Sequence, residues 1–239
     1  MKFLVRLGTM SQNPPEFEMS SVQGEYLIRV YTTLREGSRV VGSRLAERLG
    51  VSASAVTQAF QRMERQGLAV IDHDWGLQLT PEGRSIAESI IRRHYLIERL
   101  LVDTLGFDWA DADDEAERLE HALSSKLETY LFESLGEPTT CPHGNPFPGS
   151  PDEERLLGAR KLTETRVGES VVILRITEEG EDDGDLLRFA HSQGLLPGSP
   201  VLVEDIDLRA GQLLLSTDER KVVISVRWAQ SVRVSGPVS

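Results

Sequence analysis

The chain has 239 residues, of which 39% are hydrophobic and 27% charged, with a formal net charge of −12. That is enough to bury a good core across two or three small domains. No apolar run approaches the roughly 20 residues needed to span a bilayer, and a single cysteine excludes an internal disulfide and suits the cytoplasm.

The charge is unevenly spread. Residues 1–93 carry 12 Lys plus Arg against 10 Asp plus Glu, and the remainder carries 14 against 28. The front can therefore face phosphate while the rear binds cations. At the start, the apolar stretch around Phe3-Leu4-Val5 is too short for a signal peptide. Residues 1–20, through Pro14-Pro15, read as a flexible tail.

Residues 21–90 read as a winged helix-turn-helix. Glu25 to Arg35 is helical, with Tyr26, Leu27, Val30, Tyr31 and Leu34 apolar and Gly37 as the stop. Ser43 is the expected cap of a short second helix ending at Leu49, and Gly50-Val51-Ser52 is the turn. Ser52 or Ser54 starts a third helix that buries Val56, Phe60 and Met63 and ends at Gly67. Two short strands, Leu68–Ile71 and Leu77–Thr80, joined through Asp72-His73-Asp74-Trp75-Gly76, make a wing. The outward face of the third helix offers Ser52, Ser54, Thr57, Gln58, Gln61, Arg62 and Arg65. Small and amide side chains near its N-terminus reach base edges, and the later arginines suit phosphates.

Residues 91–145 carry polar groups where helices should be greasy. Ile90, Ile91, Ile97, Leu101 and Leu105 form an apolar face, yet His94 and Glu98, spaced i and i+4, sit inside it. A second helix repeats the defect: Glu120 falls among Ala116, Leu119, Leu123, Leu127 and Tyr130, with Glu117 and His121 at the edge. On one helix such residues are ordinarily a solvated, ion-paired face. Two helices with the same defect favour a divalent cation, because buried carboxylates need a partner or a metal.

This order of motifs, a winged helix-turn-helix, then Arg93-His94-Tyr95-Leu96-Ile97-Glu98-Arg99-Leu100-Leu101, then Asp114-Glu115-Ala116-Glu117-Arg118-Leu119-Glu120-His121, closely resembles the metal-dependent repressors of the DtxR/MntR type. Cys141-Pro142-His143-Gly144-Asn145-Pro146 resembles the segment that follows the dimerisation helices in three-domain members. Without that context, a Cys and a His in a Pro/Gly-rich loop are plain loop residues, and no orienting acid supports a nucleophile–base pair. The resemblance implies one site of Glu25, Glu117, Glu120 and His121 with His94 close by, and a second of Glu98, Cys141, His143 and Asp185, for which Asp182 and Asp183 compete. Iron-type members have a cysteine where this chain has Glu117, so the resemblance implies Mn²⁺, with Fe²⁺ as the alternative and Zn²⁺, Co²⁺ or Cd²⁺ as in vitro ligands. Ile28 stands where two-domain manganese members have a second glutamate, which argues against a directly bridged metal pair. Asp113 stands where iron-type members have a histidine ligand, and is left out of the expected set.

Residues 146–160, rich in Pro, Gly and acid, read as a linker. Residues 161–239 carry short strands at Val171–Ile176, Val201–Ile206, Gln212–Leu215 and Val222–Val226, with a helix at Leu186–Gln193. This fits a small SH3-like (FeoA-like) β-barrel, making the whole chain α+β. The resulting expectation is a cytoplasmic, homodimeric, manganese-responsive regulator that binds palindromic operator DNA, controls metal-uptake genes and takes no small organic substrate. Its rivals are an iron-responsive regulator of the same build, a metallohydrolase, and a DNA-binding module whose charged helices form only salt bridges.

Overall fold

The computed structural model describes residues 20–72 and 76–237, in two compact units: one of residues up to Leu34 plus Arg39–Ser89, the other of Arg35–Ser38 plus Ile90 onward. The expected tail (residues 1–19) and the tip of the wing (residues 73–75) lie outside the described residues.

In the first unit, α1 (Ser21–Arg35) buries Leu27, Val30 and Tyr31. It begins four residues ahead of the expected start. Helix α2 (Gly42–Arg48) has Val41, not Ser43, at its N-cap, with no side-chain cap bond. Helix α3 (Ala53–Arg65) is capped by Ser52, whose Oγ accepts from the Ala55 N–H at 3.2 Å, and buries Val56 and Met63. Strands β1 (Ala69–Asp72) and β2 (Gly76–Leu79) pair antiparallel, Ala69 opposite Leu79, as the wing.

Helix α4 (Pro81–Arg99) runs from one unit into the other, and Leu100–Thr104 continues it as a wider π turn closed by the Leu105 N–H on the Leu100 carbonyl at 3.1 Å. A 3-10 turn (Trp109–Asp111) leads into α5 (Ala112–Leu119). The single helix expected through Tyr130 is broken. Glu120–Ala122 form a 3-10 turn, Leu123 is extended, and Ser124 caps a new helix, α6 (Ser125–Ser134), by accepting from the Leu127 N–H. The expected apolar arc divides accordingly: Ala116, Leu123 and Leu131 are buried with Ile97 and Leu101, whereas Leu105, Leu119, Leu127 and Tyr130 are exposed on this protomer.

Residues 141–147, the end of the expected dimerisation domain and the first two residues of the expected linker (residues 146–160), are buried. Helix α7 (Glu153–Leu157) packs Leu156 inside. The chain folds back on itself through Cys141 N–H to Asn145 O (2.8 Å) and Phe147 N–H to Thr139 O (2.9 Å). Gly144 is required there. Its φ is +93°, and a Cβ would lie 2.2 Å from the Leu174 carbonyl oxygen.

The rear of the chain is one six-stranded antiparallel sheet of SH3-like type. Its strands are β3 (Arg160–Lys161), β4 (Ser170–Ile176), β5 (Pro200–Asp207), β6 (Gln212–Ser216), β7 (Lys221–Ser225) and β8 (Val232–Val234), in the order β3-β8-β4-β5-β6-β7. Alternation sets the faces: Val201, Val203, Leu213, Leu215, Val222 and Ile224 point into the core, Leu202 and Val223 out. Three helices, α8 (Glu178–Glu181), α9 (Gly184–Gln193) and α10 (Val226–Ala229), complete the domain. Its core also takes in Trp109 and Ala110 from the turn before α5.

Candidate metal centre

Glu98 is the hub. It sits on α4 with no exposed surface, in a stretch whose apolar neighbours commit that face to the interior. Around it lie Cys141 and His143 from the buried loop and Glu181 from the C-terminal end of α8, all four buried, with one donor atom from each within 4.8 Å of the others. His143 Nδ1 is 3.0 Å from Glu98 Oε1 and 3.3 Å from Glu181 Oε1, and the Cys141 thiol points to Glu181 Oε1 at 3.8 Å. The other imidazole nitrogen, Nε2, is bound to the Trp109 carbonyl at 2.9 Å, which fixes Nδ1 as the atom facing the acids.

Buried polar atoms are almost always hydrogen-bonded, and each exception needs a reason. Here both oxygens of Glu98, Nδ1 of His143 and Oε2 of Glu181 are buried without a hydrogen bond of good geometry. These orphaned carboxylate and imidazole atoms, gathered beside the Cys141 thiol, fit a divalent cation.

A second group shares Glu98. His94 Nδ1 lies 2.9 Å from Glu120 Oε2, and Nε2 lies 3.1 Å from Asp113 Oδ1 and 3.6 Å from Glu98 Oε1. His94, Glu98 and Asp113 offer donors within 4.8 Å. Asp113, which sequence reasoning set aside, is therefore part of this group. His121 extends it by a contact of 3.3 Å from Nε2 to Glu120 Oε1 and is one-third exposed. Glu117 is half-buried on α5 and belongs to neither four- nor three-residue group; Glu25 is half-buried on α1 in the first unit.

Asp185, the expected third-domain ligand, lies outside both groups. It is 80% exposed and pairs with Arg188 at 2.8 Å, and Asp183 caps α9. Glu181, four residues earlier, is buried and lies in the group with Glu98, Cys141 and His143. Sequence held a usable signal: Thr177 caps α8, which puts Glu178 and Glu181 on one face, and Gly180 is small by necessity, since a Cβ would lie 2.7 Å from Ile176 and Ser231.

The electrostatics show how unbalanced this interior is. Burial opposes ionising Glu98, but the His143 and His94 imidazoles overcome it and hold the carboxyl well below its ordinary range. Burial likewise opposes charge on His94 and His143, yet both are raised, His94 by hydrogen bonds to Asp113 and Glu120, His143 by the Glu98 charge. For Glu181 the balance is the opposite: burial, then the charges of Glu178 and Glu98, push it well up, and the His94 charge opposes them only in part. Burial and the nearby acids do the same to Cys141. A cation placed among these groups would reverse those pressures.

The expected DNA-contacting residues Ser52, Ser54, Thr57, Gln58, Arg62 and Arg65 are all exposed, on α3 or at its cap. Thr57 bonds the Ala53 carbonyl and Arg65 the Gln61 carbonyl, so both side chains lie along the helix surface.

Comparison with known proteins decides the family. Residues 18–77 match the iron dependent repressor N-terminal DNA binding domain, residues 80–149 the iron dependent repressor metal binding and dimerisation domain, and residues 160–236 the FeoA domain. The chain belongs to the iron-dependent, or DtxR-type, repressor family. As a DtxR-type protein it is a metal-dependent transcriptional repressor and not an enzyme, which removes the metallohydrolase reading. It is 35% identical over 221 residues to the iron-dependent repressor IdeR of Mycobacterium tuberculosis, covering 87% of this chain and 94% of that one. It is 34% identical over 216 residues to the diphtheria toxin repressor of Corynebacterium diphtheriae, with the same coverage. Among solved structures, a manganese-dependent transcriptional repressor in complex with manganese is 33% identical with a TM-score of 0.78, covering 89% of this chain and 98% of that one. The manganese regulator SloR is 26% identical with a TM-score of 0.75, at 91% and 99% coverage. Iron and manganese thus both occur among the repressor's relatives. Among the described residues no helix is long and apolar enough to cross a membrane.

Proposed function

We propose that this repressor responds to Mn²⁺, held by two groups that meet at Glu98. The observation that carries the reading is the set of orphaned donors on Glu98, His143 and Glu181 beside Cys141. Around His94 the donors are carboxylates and imidazoles alone, from Asp113, Glu98, Glu120 and His121, and no thiol is among them. Hard oxygen donors suit Mn²⁺, whereas the Cys141 thiolate makes the other group more tolerant of Fe²⁺, Zn²⁺, Co²⁺ or Cd²⁺. Glu117, in place of the thiol of iron-type members, points the same way.

A cation supplies positive charge that lets these acids and the thiol sit together ionised. The chain's own residues do the rest. Glu98 anchors the ion to α4, Cys141 and His143 to the buried loop, and Glu181 to the SH3-like domain, so occupation clamps three segments of the second unit. The DNA-binding unit's part in sensing the ion is assigned to Glu25 on α1 by family resemblance. The regulated DNA is a palindromic operator bound by a homodimer, with α3 presenting Ser52, Ser54, Thr57 and Gln58 to bases and Arg62 and Arg65 to phosphates. Leu105, Leu119, Leu127 and Tyr130, exposed on the protomer, supply the apolar face that dimerisation covers. Metal-uptake genes are the expected targets.

The test is a titration of palindromic promoter DNA with chelator, then with Mn²⁺, Fe²⁺ and Zn²⁺ separately, the Fe²⁺ arm without oxygen. Activation at the lowest free concentration by Mn²⁺ supports the reading. Activation by Fe²⁺ at lower concentration than Mn²⁺ makes this an iron-responsive member.

A further inference from the structure

Arg175 is a buried guanidinium that the metal groups do not explain. It lies on β4 with no exposed surface, among apolar neighbours where a cation is expensive. All three nitrogens are used. Nε donates to the Leu156 carbonyl at 2.9 Å, Nη1 to Asn145 Oδ1 at 2.8 Å, and Nη1 and Nη2 grip both oxygens of Glu36 at 2.5 and 3.0 Å. Asn145 in turn donates from Nδ2 to Glu181 Oε1 at 2.5 Å and to the Ile176 carbonyl at 2.8 Å. An unbroken polar chain therefore runs Glu181–Asn145–Arg175–Glu36.

Its two ends are the point. Glu181 Oε1 is the oxygen that also meets His143 and Cys141. Glu36 follows the last residue of α1, and the chain then runs on from residue 38 into the DNA-binding unit. The neighbouring residue is tied to the same loop: Arg35 donates to the Pro146 carbonyl at 2.5 Å and to Glu153 at 2.9 Å, with only 5% of its side chain exposed. Arg233 adds a contact to Glu36 at 3.3 Å. Arg35 is thus held by the loop that carries Cys141 and His143, and Glu36 is linked through Arg175 to the asparagine that bonds Glu181.

We infer that Arg175 and Asn145 are positioning residues that transmit occupation of the Glu98–Cys141–His143–Glu181 group to the Arg35–Glu36 segment and so to DNA affinity. Placing Glu181 fixes Asn145, because the amide has one orientation that serves Glu181 and Arg175 together. Fixing Asn145 holds Arg175 in the one geometry in which its fork meets Glu36 bidentately. The segment leaving α1 is then pinned when the group is ordered and released when it is not. Coupling of this kind ordinarily amounts to roughly 5–150-fold in affinity. The inference rests on the metal reading of that group.

The experiment uses the full-length dimer and two variants, Glu36→Gln and Arg175→Lys. Glu36→Gln keeps shape and one acceptor but gives up the bidentate charge; Arg175→Lys keeps charge but cannot serve Leu156, Asn145 and Glu36 at once. Two readouts are needed: the ratio of operator affinity with Mn²⁺ to that with chelator, and the ultraviolet thiolate-to-Co²⁺ absorption that reports metal on Cys141. The expected result is that both variants keep the Co²⁺ band and a native circular dichroism spectrum while the metal stimulation ratio falls about tenfold. Should Glu36→Gln fail to fold, Arg175→Lys carries the comparison, since it leaves Glu36 paired. A folded variant that keeps the band and the full ratio overturns the inference. Absence of the band in the native chain overturns the metal reading, and the inference with it.

Discussion

Replacing Glu181 by glutamine sets metal affinity and intrinsic stability against each other. Glu181 is buried, its Oε2 has no hydrogen bond, and burial and the neighbouring Glu178 and Glu98 oppose its ionisation. An unsatisfied buried polar group costs about 1–3 kcal/mol, so Glu181→Gln, which replaces an acid that this interior resists ionising with a neutral amide and adds a donor, should leave the chelator-treated protein as stable as the native chain or more so. The metal response moves the other way. At a hundredfold excess over Kd, a bound ion stabilises the native chain by about 2.7 kcal/mol, or roughly 5–10 °C in Tm at 2–4 °C per kcal/mol. Outer partners of a metal alone are worth about 10–100-fold in affinity, so loss of a ligand should reduce that stabilisation to about 0.4–1.4 kcal/mol at the same Mn²⁺ concentration. Differential scanning fluorimetry with chelator and with Mn²⁺ reads both effects. Asp185→Ala is the control: its carboxylate is 80% exposed and meets only an exposed Arg188, so both melting points should match native. If Asp185→Ala abolished the Mn²⁺ shift while Glu181→Gln kept it, the assignment of Glu181 would be refuted.

Glu120→Ala should abolish Mn²⁺-stimulated operator binding while leaving a dimer by gel filtration, since Glu120 meets His94 and His121. Glu117→Cys should move the ranking of activating metals toward Fe²⁺, Co²⁺ or Zn²⁺; an unchanged ranking removes Glu117 from metal selection. Metal affinity should rise with pH across the neutral range by isothermal titration calorimetry. The raised pKa values of His94 and His143 mean that protons hold these imidazoles and must leave as the ion enters. His143→Ala should lose the Mn²⁺ protection against proteolysis between Pro146 and Arg155 that the native chain shows, and equal protection in both would show that no clamp forms there.

How far the sequence could be read follows from which signals were local. The Ser52 cap, the wing strands and the alternation of β5 to β7 are written in adjacent residues, and the structure has them within a residue or two. The break between α5 and α6 was missed because the 3.6-residue period runs straight through Leu119, Leu123 and Leu127; the Ser124 cap that ends it looks like any mid-helix serine. By composition alone the Pro/Gly-rich stretch from Cys141 to Pro146 reads as a plain loop. It is interior because Gly144 lets it approach β4 to within a distance no side chain allows. Glu181 was hidden for a similar reason. In an acidic run every carboxylate looks solvated, and only Thr177 and Gly180, read together, put this one inside. Arg175 sits in a strand as one charge among apolar residues, and nothing nearby in sequence names Glu36 or Asn145 as its partners.

The most direct test of the central claim is to measure Mn²⁺ affinity twice, for the protein alone and for the protein on its palindromic operator. If metal and DNA are coupled through one structural equilibrium, operator DNA must tighten Mn²⁺ binding by the same factor by which Mn²⁺ tightens DNA binding. Our account predicts equal factors in the native dimer, and both near unity when His143 or Glu98 is replaced by alanine. An Mn²⁺ affinity indifferent to the operator would contradict it.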